Sequence, residues 1–394
     1  MDLCIVFGLK FQPPGGAERV VAEEASRAAA AGNDVTVLTK QIATAYRELF
    51  ADRERVTLRE YRNGNQIVHE PLRIRRVFRE INPDFVFAHY QDEGVYLATR
   101  TLPDSIPYSC HVHGSPLWLT EPDRIVPHRR SDIYDRLVAE VPGHGQFTDD
   151  TPLSTKYRVL GEIGEFLRKR ALHRAAFVST GSERVARELS GLYDVDAQVI
   201  RPGVSMAWIE GATDHDLISP ENWEEMILSV SRLDERKRIP LLIRAVARLR
   251  GERGRDVGLV ICGTGTHEPT LRALVDDLGV DEAVRFAGHV PDEDLPRYYR
   301  SADVFACPAW MSYGLSPIEA YALGTPVVLS TDTYAKEVLD DKPDTTIADP
   351  TVAAWTTALA GALNTKSSPD PEVVPTWEMY VNRKLELVER HSFS

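Results

Sequence analysis

The stretch VFACPAWMSYGLSPIEAYALGTPVVLS, residues 304–330, decides the fold. An apolar strand at 304–307 runs into a glycine-containing loop, and the Ser-Pro pair at 316–317 marks the start of a helix. The Gly-Thr-Pro sequence at 324–326 ends that helix and returns the chain to a second apolar strand. Both strands are apolar throughout, so we expect them in a parallel sheet that is covered on both faces. The stretch is therefore a strand–helix–strand unit of an α/β fold.

The same alternation of strands and amphipathic helices runs along the whole chain and is interrupted once. A first series ends at Gly203, residues 205–223 are irregular and acidic, and a second series starts at Met226. Such alternation is typical of doubly wound parallel sheets. We therefore predict two Rossmann-like domains, residues 1–204 and 205–394. A cleft is expected at the carboxyl ends of their strands, where these sheets bind ligands.

The composition excludes several classes of protein. The chain has 394 residues, of which 43% are hydrophobic, so it can bury sizeable cores. Its formal net charge of −13 argues against general nucleic-acid binding, which needs a basic surface. The cysteines lie far apart in apolar runs, the N-terminus lacks the basic region of a signal peptide, and no run of 18 apolar residues occurs. We therefore expect a cytoplasmic protein with reduced cysteines.

A glycine pair follows the first strand in the segment PPGGAER, residues 13–19. Gly15 and Gly16 precede a helix, where the backbone approaches a ligand closely and the helix N-terminus favours an anion. A tight turn between strand and helix explains the pair equally well. The dinucleotide-binding pattern G-x-G-x-x-G is absent from this segment.

Two cations follow the first strand of the second series, in SRLDERK at 231–237. Arg232 ends the strand, and Lys237 lies in the approach to the next helix. Two cations beside a helix N-terminus fit a diphosphate, because charge-assisted hydrogen bonds to phosphate are strong. Loop cations are more often simply solvated, but the chain has only nine lysines, which favours a specific role for Lys237.

The loop of the opening stretch also carries candidate ligands. The backbone N–H groups of Tyr313–Ser316 are suited to an oxyanion, and Glu319, expected in the first helical turn, is suited to two adjacent hydroxyls. A carboxylate in a first turn also stabilises a helix by about 0.3–1 kcal/mol without any ligand. The residues alone leave both interpretations open.

Together these segments resemble the family-4 retaining glycosyltransferases, which have the GT-B architecture of two facing Rossmann-like domains. The resemblance covers nearly the whole chain, and its most specific parts are SRLDERK and YGLSPIEAYALGTPVV. Further matching segments are GGAERVV at 15–21, HVHG at 111–114, the run from Ser179 to Val204, VICGTG at 260–265 and VRFAGHV at 284–290.

Members of that family transfer a sugar from a nucleotide donor with retention at the anomeric carbon and without a bound metal. The resemblance therefore implies a nucleotide-diphosphate sugar as donor, a hydroxyl acceptor and no separate cofactor. It assigns Arg232 and Lys237 to the donor diphosphate, and Glu319, as the second glutamate of an E-x7-E motif, to the ribose. His113 is expected beside the donor sugar and forms the predicted catalytic group with those two cations. The predicted substrate-binding positions are Gly15, Gly16, Met311, Tyr313, Gly314, Leu315, Ser316 and Glu319.

Two features depart from the family pattern. Met311 stands where the first glutamate of the E-x7-E motif is expected, and Ser312 replaces a glycine beside it. Either the donor lacks the hydroxyl pattern that the glutamate reads, or activity is lost; we favour an unusual, for example deoxy, donor. In addition, family chains usually continue past the segment corresponding to HSFS, residues 391–394, into a helix that crosses back to the first domain. This chain stops there, so we expect either a truncation or a crossover built by other residues.

Alternative functions and sites remain at this stage. One is a non-catalytic homologue that binds a nucleotide sugar or a protein, and another is a different reaction on the same fold, such as a phosphorylase or epimerase. Metal binding by Asp194 and Asp196 is disfavoured because the pair is predicted to lie in a turn remote from the cleft motifs. Metal binding by His111 and His113 is disfavoured because no third ligand is evident. The basic segment 157–174 is interpreted as a domain helix with a solvated basic face, with peripheral contact to an anionic membrane as the alternative.

Overall fold

The computed structural model describes residues 1–11, 15–50, 53–61, 69–102, 106–117, 132–140, 155–212, 223–310, 313–365 and 374–392. The chain divides into two compact units. Unit 1 comprises Met1–Pro202 together with Trp377–Ser394, and unit 2 comprises Gly203–Thr376.

Unit 1 is built on a parallel sheet. Its described strands are β1 (Asp2–Phe7), β2 (Asp34–Thr39), β3 (Val56–Glu60), β4 (Phe85–His89), β5 (Tyr108–Val112), β6 (Phe177–Thr180) and β7 (Ala197–Val199). They lie in the order β3-β2-β1-β4-β5-β6-β7, so the direction of the winding reverses between β1 and β4. The helices between them are α1 (Gly16–Ala30), α2 (Thr44–Leu49), α3 (His69–Ile81), α4 (Asp92–Arg100), α5 (Asp132–Ala139), α6 (Thr155–Arg174) and α7 (Glu183–Tyr193).

Unit 2 repeats this topology. Its described strands are β8 (Glu225–Val230), β9 (Val257–Cys262), β10 (Val284–Gly288), β11 (Val304–Cys307), β12 (Val327–Ser330) and β13 (Thr345–Ala348). They pair in parallel in the order β10-β9-β8-β11-β12-β13. The helices are α8 (Met206–Gly211), α9 (Ile239–Arg253), α10 (Glu268–Leu278), α11 (Leu295–Ser301), α12 (Leu315–Ala322), α13 (Lys336–Leu339) and α14 (Val352–Ala362), with 3-10 turns at Glu235–Lys237 and Asp281–Ala283.

Helices cover both faces of the unit 2 sheet, which confirms the two-sided burial predicted for its apolar strands. One face packs against α9, α10 and α14, and the apolar residues of α9, among them Ile239, Leu242 and Val246, are buried there. The other face packs against α11 and α12, including Tyr299, Ile318 and Tyr321. The helices therefore hold the strands from both faces of the sheet, and the strands in turn fix the positions of the loops at their ends.

The last described helix, α15 (Trp377–Ser392), belongs to unit 1, although the sequence analysis assigned all of 205–394 to the second domain. Its buried residues recur at helical spacing: Trp377, Tyr380, Val381, Lys384, Leu387 and Val388. That stripe packs against α1, because an apolar helix face needs cover. The second unit thus ends at Thr376, and residues before the HSFS segment form the helix that returns to unit 1. No helix in the described ranges is long and apolar enough to cross a membrane.

Candidate functional site

The carboxyl ends of β1 and β4 meet at the switch point of unit 1, where doubly wound sheets bind ligands. The Gly8 N–H donates to the carbonyl of His89 over 2.7 Å. A Cβ at Gly8 would lie 2.1 Å from the Tyr90 carbonyl oxygen, so only glycine fits this close approach. Tyr90 has a φ of 58°, an uncommon conformation for a residue with a side chain. Sequence reasoning missed Gly8, although a glycine directly after a strand was the available signal.

The predicted glycine pair lies at the start of α1. Gly15 is the extended N-cap residue, with a φ of −145°, and Gly16 is the first helical residue. A Cβ at Gly15 would meet only the mobile end of the Glu18 side chain, and no described atom lies within 4 Å of a Cβ built at Gly16. The described part of the protein therefore gives no packing reason for glycine at 16, which leaves close approach of a ligand as the reason to be tested.

His113 lies just past the end of β5 and is half-buried. Its ring stacks on that of Tyr90, with centroids 4.7 Å apart and planes 7° from parallel. Its Nε2 lies 2.8 Å from Nδ1 of His89, the last residue of β4. His111, two residues earlier, points its Nδ1 at the Ser179 hydroxyl over 2.9 Å. Three imidazoles thus meet at the carboxyl edge of unit 1.

These imidazoles are neutral near pH 7. Burial holds the pKa of His113 well below 6.5, and His89 and Lys384 lower it further. Burial likewise lowers the pKa of His111 and of His89; in His89 the neighbouring Glu24 carboxylate opposes the shift but does not cancel it. His113 is therefore a hydrogen-bonding group and not a cation.

A buried ion pair lies behind the histidines and was missed from the sequence. Lys384 of α15 contacts both carboxylate oxygens of Glu24 on α1, at 2.7 and 2.8 Å. Glu24 Oε2 also lies 3.2 Å from His89 Nε2. The signal in the sequence was a charged residue at helical spacing among apolar ones, such as Lys384 between Tyr380 and Val388.

Unit 2 presents cations at the corresponding edge. The loop after β8 carries Arg232, which is exposed, and then the 3-10 turn with Arg236 and Lys237. Burial lowers the pKa of the half-buried Lys237, and the guanidinium groups of Arg236 and Arg232 act in the same direction, while Cys307 and Asp234 oppose them. Positive charge is therefore concentrated between the ends of β8 and β11, at the switch point of this sheet. Arg236 Nη2 lies 3.6 Å from the Asp234 carboxylate, so Arg232 and Lys237 are the cations that would attract an anion most strongly here.

The GTG sequence at 263–265 shapes this loop. A Cβ at Gly263 would lie 1.9 Å from the Ser231 carbonyl oxygen, and one at Gly265 would lie 2.2 Å from that of Leu233. Gly263 also has a φ of 132°. The two glycines therefore let the loop after β9 pack directly on the loop that carries Arg232.

Arg238 connects this loop to the end of β12. Its Nη1 lies 2.9 and 2.8 Å from the two carboxylate oxygens of Asp332, and the Ser330 hydroxyl donates to Asp332 over 2.6 Å. The Arg238 and Asp332 side chains are 10% and 2% exposed. Arg238 also has a φ of 50°, although it is not a glycine. The ion pair therefore stabilises the left-handed turn directly after Lys237.

The predicted oxyanion loop leads into α12. Gly314, with a φ of 64°, is the N-cap, and the helix begins at Leu315, followed by Ser316 and Pro317. The first amides of a helix have no intrahelical acceptor and face the loop end. Tyr313, just before the cap, packs partly on the apolar core. The predicted amide donors thus lie at the end of β11, next to β8.

Glu319 differs from its expected position. It is the fifth residue of α12 and lies in the second turn, whereas the sequence analysis placed it in the first. Its side chain is buried, at 2% exposure, and Oε2 accepts a hydrogen bond from the Tyr299 hydroxyl over 2.8 Å. The helix starts one to two residues earlier than predicted because Gly314, and not Ser316, is its cap.

Two further predictions concern metals and Met311. Within the described ranges, no group of three or more His, Cys, Asp or Glu side chains is arranged to hold a metal ion. Asp194 is the left-handed C-cap of α7, and Asp196 precedes β7, so the pair lies in the predicted turn. Met311 and Ser312 lie outside the described residues.

Two family models match the chain, one in each half. The model of Glycosyltransferase Family 4 matches residues 14–208, and that of Glycosyl transferases group 1 matches residues 215–371. A GDP-mannose-dependent alpha-(1-6)-phosphatidylinositol monomannoside mannosyltransferase of Mycolicibacterium smegmatis is 39% identical over 147 residues, which cover 35% of this chain and 38% of that protein. A D-inositol 3-phosphate glycosyltransferase of Salinispora arenicola is 33% identical over 195 residues, covering 44% and 42%. The chain thus spans about two fifths of the length of these relatives.

Solved structures share the fold over nearly the entire chain. A glycosyltransferase from Rickettsia africae superposes with a TM-score of 0.69 at 16% identity and covers 99% of this chain and 93% of its own. Anabaena HepE, solved with UDP, gives 0.64 at 15% identity and covers 99% and 96%. Because the two family models adjoin and the common fold spans both units, the chain belongs to the group 1, family 4 glycosyltransferases of the GT-B fold.

Proposed function

We propose that this chain is a retaining, metal-independent glycosyltransferase that moves a sugar from a nucleotide-diphosphate donor to a hydroxyl acceptor. The observation that carries the proposal is the group of Arg232, Arg236 and Lys237 at the switch point of unit 2. Donor use by similar proteins supports it: the mycobacterial relative is named for GDP-mannose, and HepE was solved with UDP and with UDP-glucose.

The donor contacts follow from the strand ends of unit 2. Arg232 and Lys237 would bind the diphosphate, because charge-assisted bonds to phosphate oxygens are strong. The amides of Leu315 and Ser316 would add donors at the start of α12. Glu319, fixed by Tyr299, would accept hydrogen bonds from the ribose hydroxyls.

The reaction breaks the bond between the anomeric carbon and the diphosphate oxygen. Negative charge develops on the leaving diphosphate, and preorganised cations stabilise it without reorganising during the reaction. For retention, the acceptor hydroxyl attacks from the face of the leaving group, and a phosphate oxygen takes its proton. No protein nucleophile is required, and the cations of the loop supply the positive charge that a metal supplies in other transferases.

His113 has a more limited role in this scheme. The family resemblance assigns it to the donor sugar, and its low pKa makes it a neutral hydrogen-bonding partner. The open space at Gly16 supports a backbone approach to the donor in the same way. Both assignments remain proposals.

The acceptor is proposed to bind to unit 1. The names of the relatives make inositol phosphates and mannosylated phosphatidylinositol the first acceptors to test. Peripheral membrane contact stays a prediction: on α6, Val159, Ile163 and Phe166 are exposed, and the Arg170 guanidinium lies 5.1 Å from the Phe166 ring centre. Sedimentation with anionic and neutral vesicles tests this prediction. A protein that does not sediment with anionic vesicles would contradict it.

A donor screen tests the function, with nucleotide release and sugar transfer measured on the same samples. We expect transfer from at least one nucleotide sugar, unchanged by EDTA and lost in Lys237→Ala. Arg248→Ala is the matched control, because Arg248 forms an exposed pair with Glu252 on α9. Activity that requires added Mg²⁺ or Mn²⁺ would contradict the mechanism. Donor binding without transfer from any donor would favour a non-catalytic homologue.

A further inference from the structure

The ion pair between Glu24 and Lys384 is buried more deeply than attachment of α15 requires. Both side chains are 1% exposed. The helix already has apolar anchors in Trp377 and Val388, each fully buried. Removing two charges from water is unfavourable, and an apolar pair attaches a helix at least as well. The pair therefore calls for a second role.

A line of contacts leads from this pair to the accessible histidine. The Lys384 ammonium contacts both oxygens of Glu24, and Glu24 Oε2 lies 3.2 Å from His89 Nε2. On the other side of the ring, His89 Nδ1 lies 2.8 Å from His113 Nε2. His89 is fully buried, and His113 is half-buried. The series of contacts from Lys384 through Glu24 and His89 thus begins in the core and ends at the half-buried imidazole of His113.

The charge of Glu24 fixes the protons along this line. Burial raises the pKa of Glu24, but Lys384 and His89 outweigh burial and lower it to about 2, so the carboxylate only accepts. The single proton of neutral His89 is then favoured on Nε2, the nitrogen 3.2 Å from Glu24 Oε2, although the two atoms are not aligned as a hydrogen bond. His89 Nδ1 is consequently an acceptor, and His113 must donate to it from Nε2. The lone pair of His113 is left on Nδ1.

We propose that Glu24 is a positioning residue that acts through His89 to hold His113 in one tautomer, protonated on Nε2 and with its lone pair on Nδ1. The inference rests on the proposed function, which assigns His113 to the donor sugar. It deepens that assignment, because it makes His113 an acceptor for a sugar hydroxyl and not a donor.

Lys384 determines which atoms donate and which accept in the contacts between Glu24, His89 and His113. Without its ammonium, a carboxylate at this depth takes up a proton. Protonated Glu24 donates, His89 Nε2 becomes the acceptor, and the proton of His89 moves to Nδ1. His113 must then offer its lone pair at Nε2 and carry its proton on Nδ1. Nδ1 of His113 would change from an acceptor to a donor.

Imidazole ¹⁵N spectra of the histidine-labelled full chain test the tautomer directly. At pH 7.5 we expect a protonated Nε2 and an unprotonated Nδ1 for His113, with the signals assigned by their loss in His113→Gln. A His113 that is protonated on Nδ1, or on both nitrogens, would overturn the proposal. This readout needs neither a donor nor catalytic activity.

The variant that separates positioning from packing is Glu24→Leu combined with Lys384→Met. It replaces the ion pair with apolar side chains, which buried sites often tolerate without loss of stability. His113 should lose its single tautomer, because nothing then fixes the proton of His89. Tyr380→Phe is the matched control: it removes a hydroxyl 3.4 Å from Glu24 Oε2 and leaves the line intact. It should give the wild-type spectrum.

Kinetics complete the test. In the double variant we expect kcat to fall about tenfold or more, by analogy with the loss of orienting partners of functional histidines, with donor KM unchanged. If the tautomer of His113 changes and kcat does not, the tautomer has no role in the reaction. If the tautomer of His113 does not change, Glu24 does not position it. If the double variant does not fold, the wild-type spectrum still decides the tautomer. A wild-type chain that transfers no sugar would remove the proposed function, while the spectra would still report the tautomer.

Discussion

Two lysines whose pKa is lowered by burial have opposite surroundings in the two units. Lys384 of unit 1 is 1% exposed, and both oxygens of Glu24 lie within 2.8 Å of its ammonium. Lys237 of unit 2 is half-buried, and the guanidinium groups of Arg232 and Arg236 depress its pKa further. The charge of Lys384 is thus compensated by a carboxylate in direct contact, whereas Lys237 has two cations and the Asp234 carboxylate as charged neighbours.

The two units thus use charge in different ways. In unit 1 the buried charges cancel each other, and their effect on the exterior is limited to the orientation of neutral imidazoles. In unit 2 the positive charges accumulate at the sheet edge, where an anion would lower the energy of the loop. We therefore expect unit 2 to provide binding and stabilisation of charge, and unit 1 to provide oriented hydrogen bonds.

The largest expected effect is a loss of stability of unit 1 in mild acid. The folded-state pKa values of His89, His111 and His113 lie below the ordinary 6.5, so the unfolded chain binds protons first. With respect to these histidines, stability is greatest above pH 6.5 and falls as the pH drops below it, by about 1.4 kcal/mol per pH unit for each histidine that stays neutral. The total at pH 5.5 is about 4 kcal/mol if all three are still neutral there. Glu24 changes the pH dependence of stability only below its ordinary pKa of 4.5, because its pKa in the folded protein is about 2.

Hydrogen exchange at pH 7.5 and 5.5, corrected for the intrinsic rate, measures this effect. Peptides of β1, β4 and β5 should lose protection at pH 5.5, and peptides of β8 and β11 serve as the internal control. Equal loss in both units would mean that the histidines do not distinguish them.

The next effect concerns catalysis in unit 2. Lys237→Ala removes a cation from the charge that develops on the diphosphate, and we expect a loss of about 2–4 kcal/mol, or about 30- to 10³-fold in kcat. Arg232→Ala should reduce kcat in the same direction. Steady-state rates of sugar transfer with a saturating donor provide the measurement, after circular dichroism has established folding. Wild-type rates in both variants would show that Arg232 and Lys237 do not take part in the reaction.

A smaller effect is expected at the support of that loop. Asp332→Asn leaves the Arg238 side chain, which is 10% exposed, without its counter-ion. Loss of a hydrogen bond to a charged group costs about 1.5–3 kcal/mol, and the left-handed turn after Lys237 loses its support. Urea unfolding of unit 2, together with donor KM, measures both consequences. Unchanged KM with reduced stability would show that the ion pair supports the fold alone.

The smallest effect is expected at Met311 and concerns donor choice. A glutamate there would lose an apolar contact and leave a desolvated carboxylate without a partner, at a cost of about 1 kcal/mol or more with a deoxy donor. Kinetics of Met311→Glu with common and deoxy donors test this. If the variant transfers better from every donor, Met311 is a defect and does not determine specificity.

Local patterns predicted the parts of the molecule that local physics determines. The apolar strands and the alternation of strands and helices in each unit were predictable, because the pattern of apolar residues reports which faces of an element are buried. Glu319 lies one to two residues further into its helix than predicted, since the glycine cap at 314 carries no side-chain signal. The pair of Glu24 and Lys384 joins residues 360 positions apart. Sequence spacing contains no information about such a contact, and the assignment of α15 was wrong for the same reason.

Nucleotide binding by the two units tests the central claim most directly. Calorimetric titrations with UDP, GDP, ADP and dTDP should be made on the wild type, on Lys237→Ala and on the Glu24→Leu, Lys384→Met double variant. We expect Lys237→Ala to weaken binding of the preferred diphosphate by about tenfold or more, as expected for loss of one charge-assisted contact, and the double variant to bind it as the wild type does. Loss of binding in the double variant, with Lys237→Ala unchanged, would contradict the claim that the cations of unit 2 bind the diphosphate.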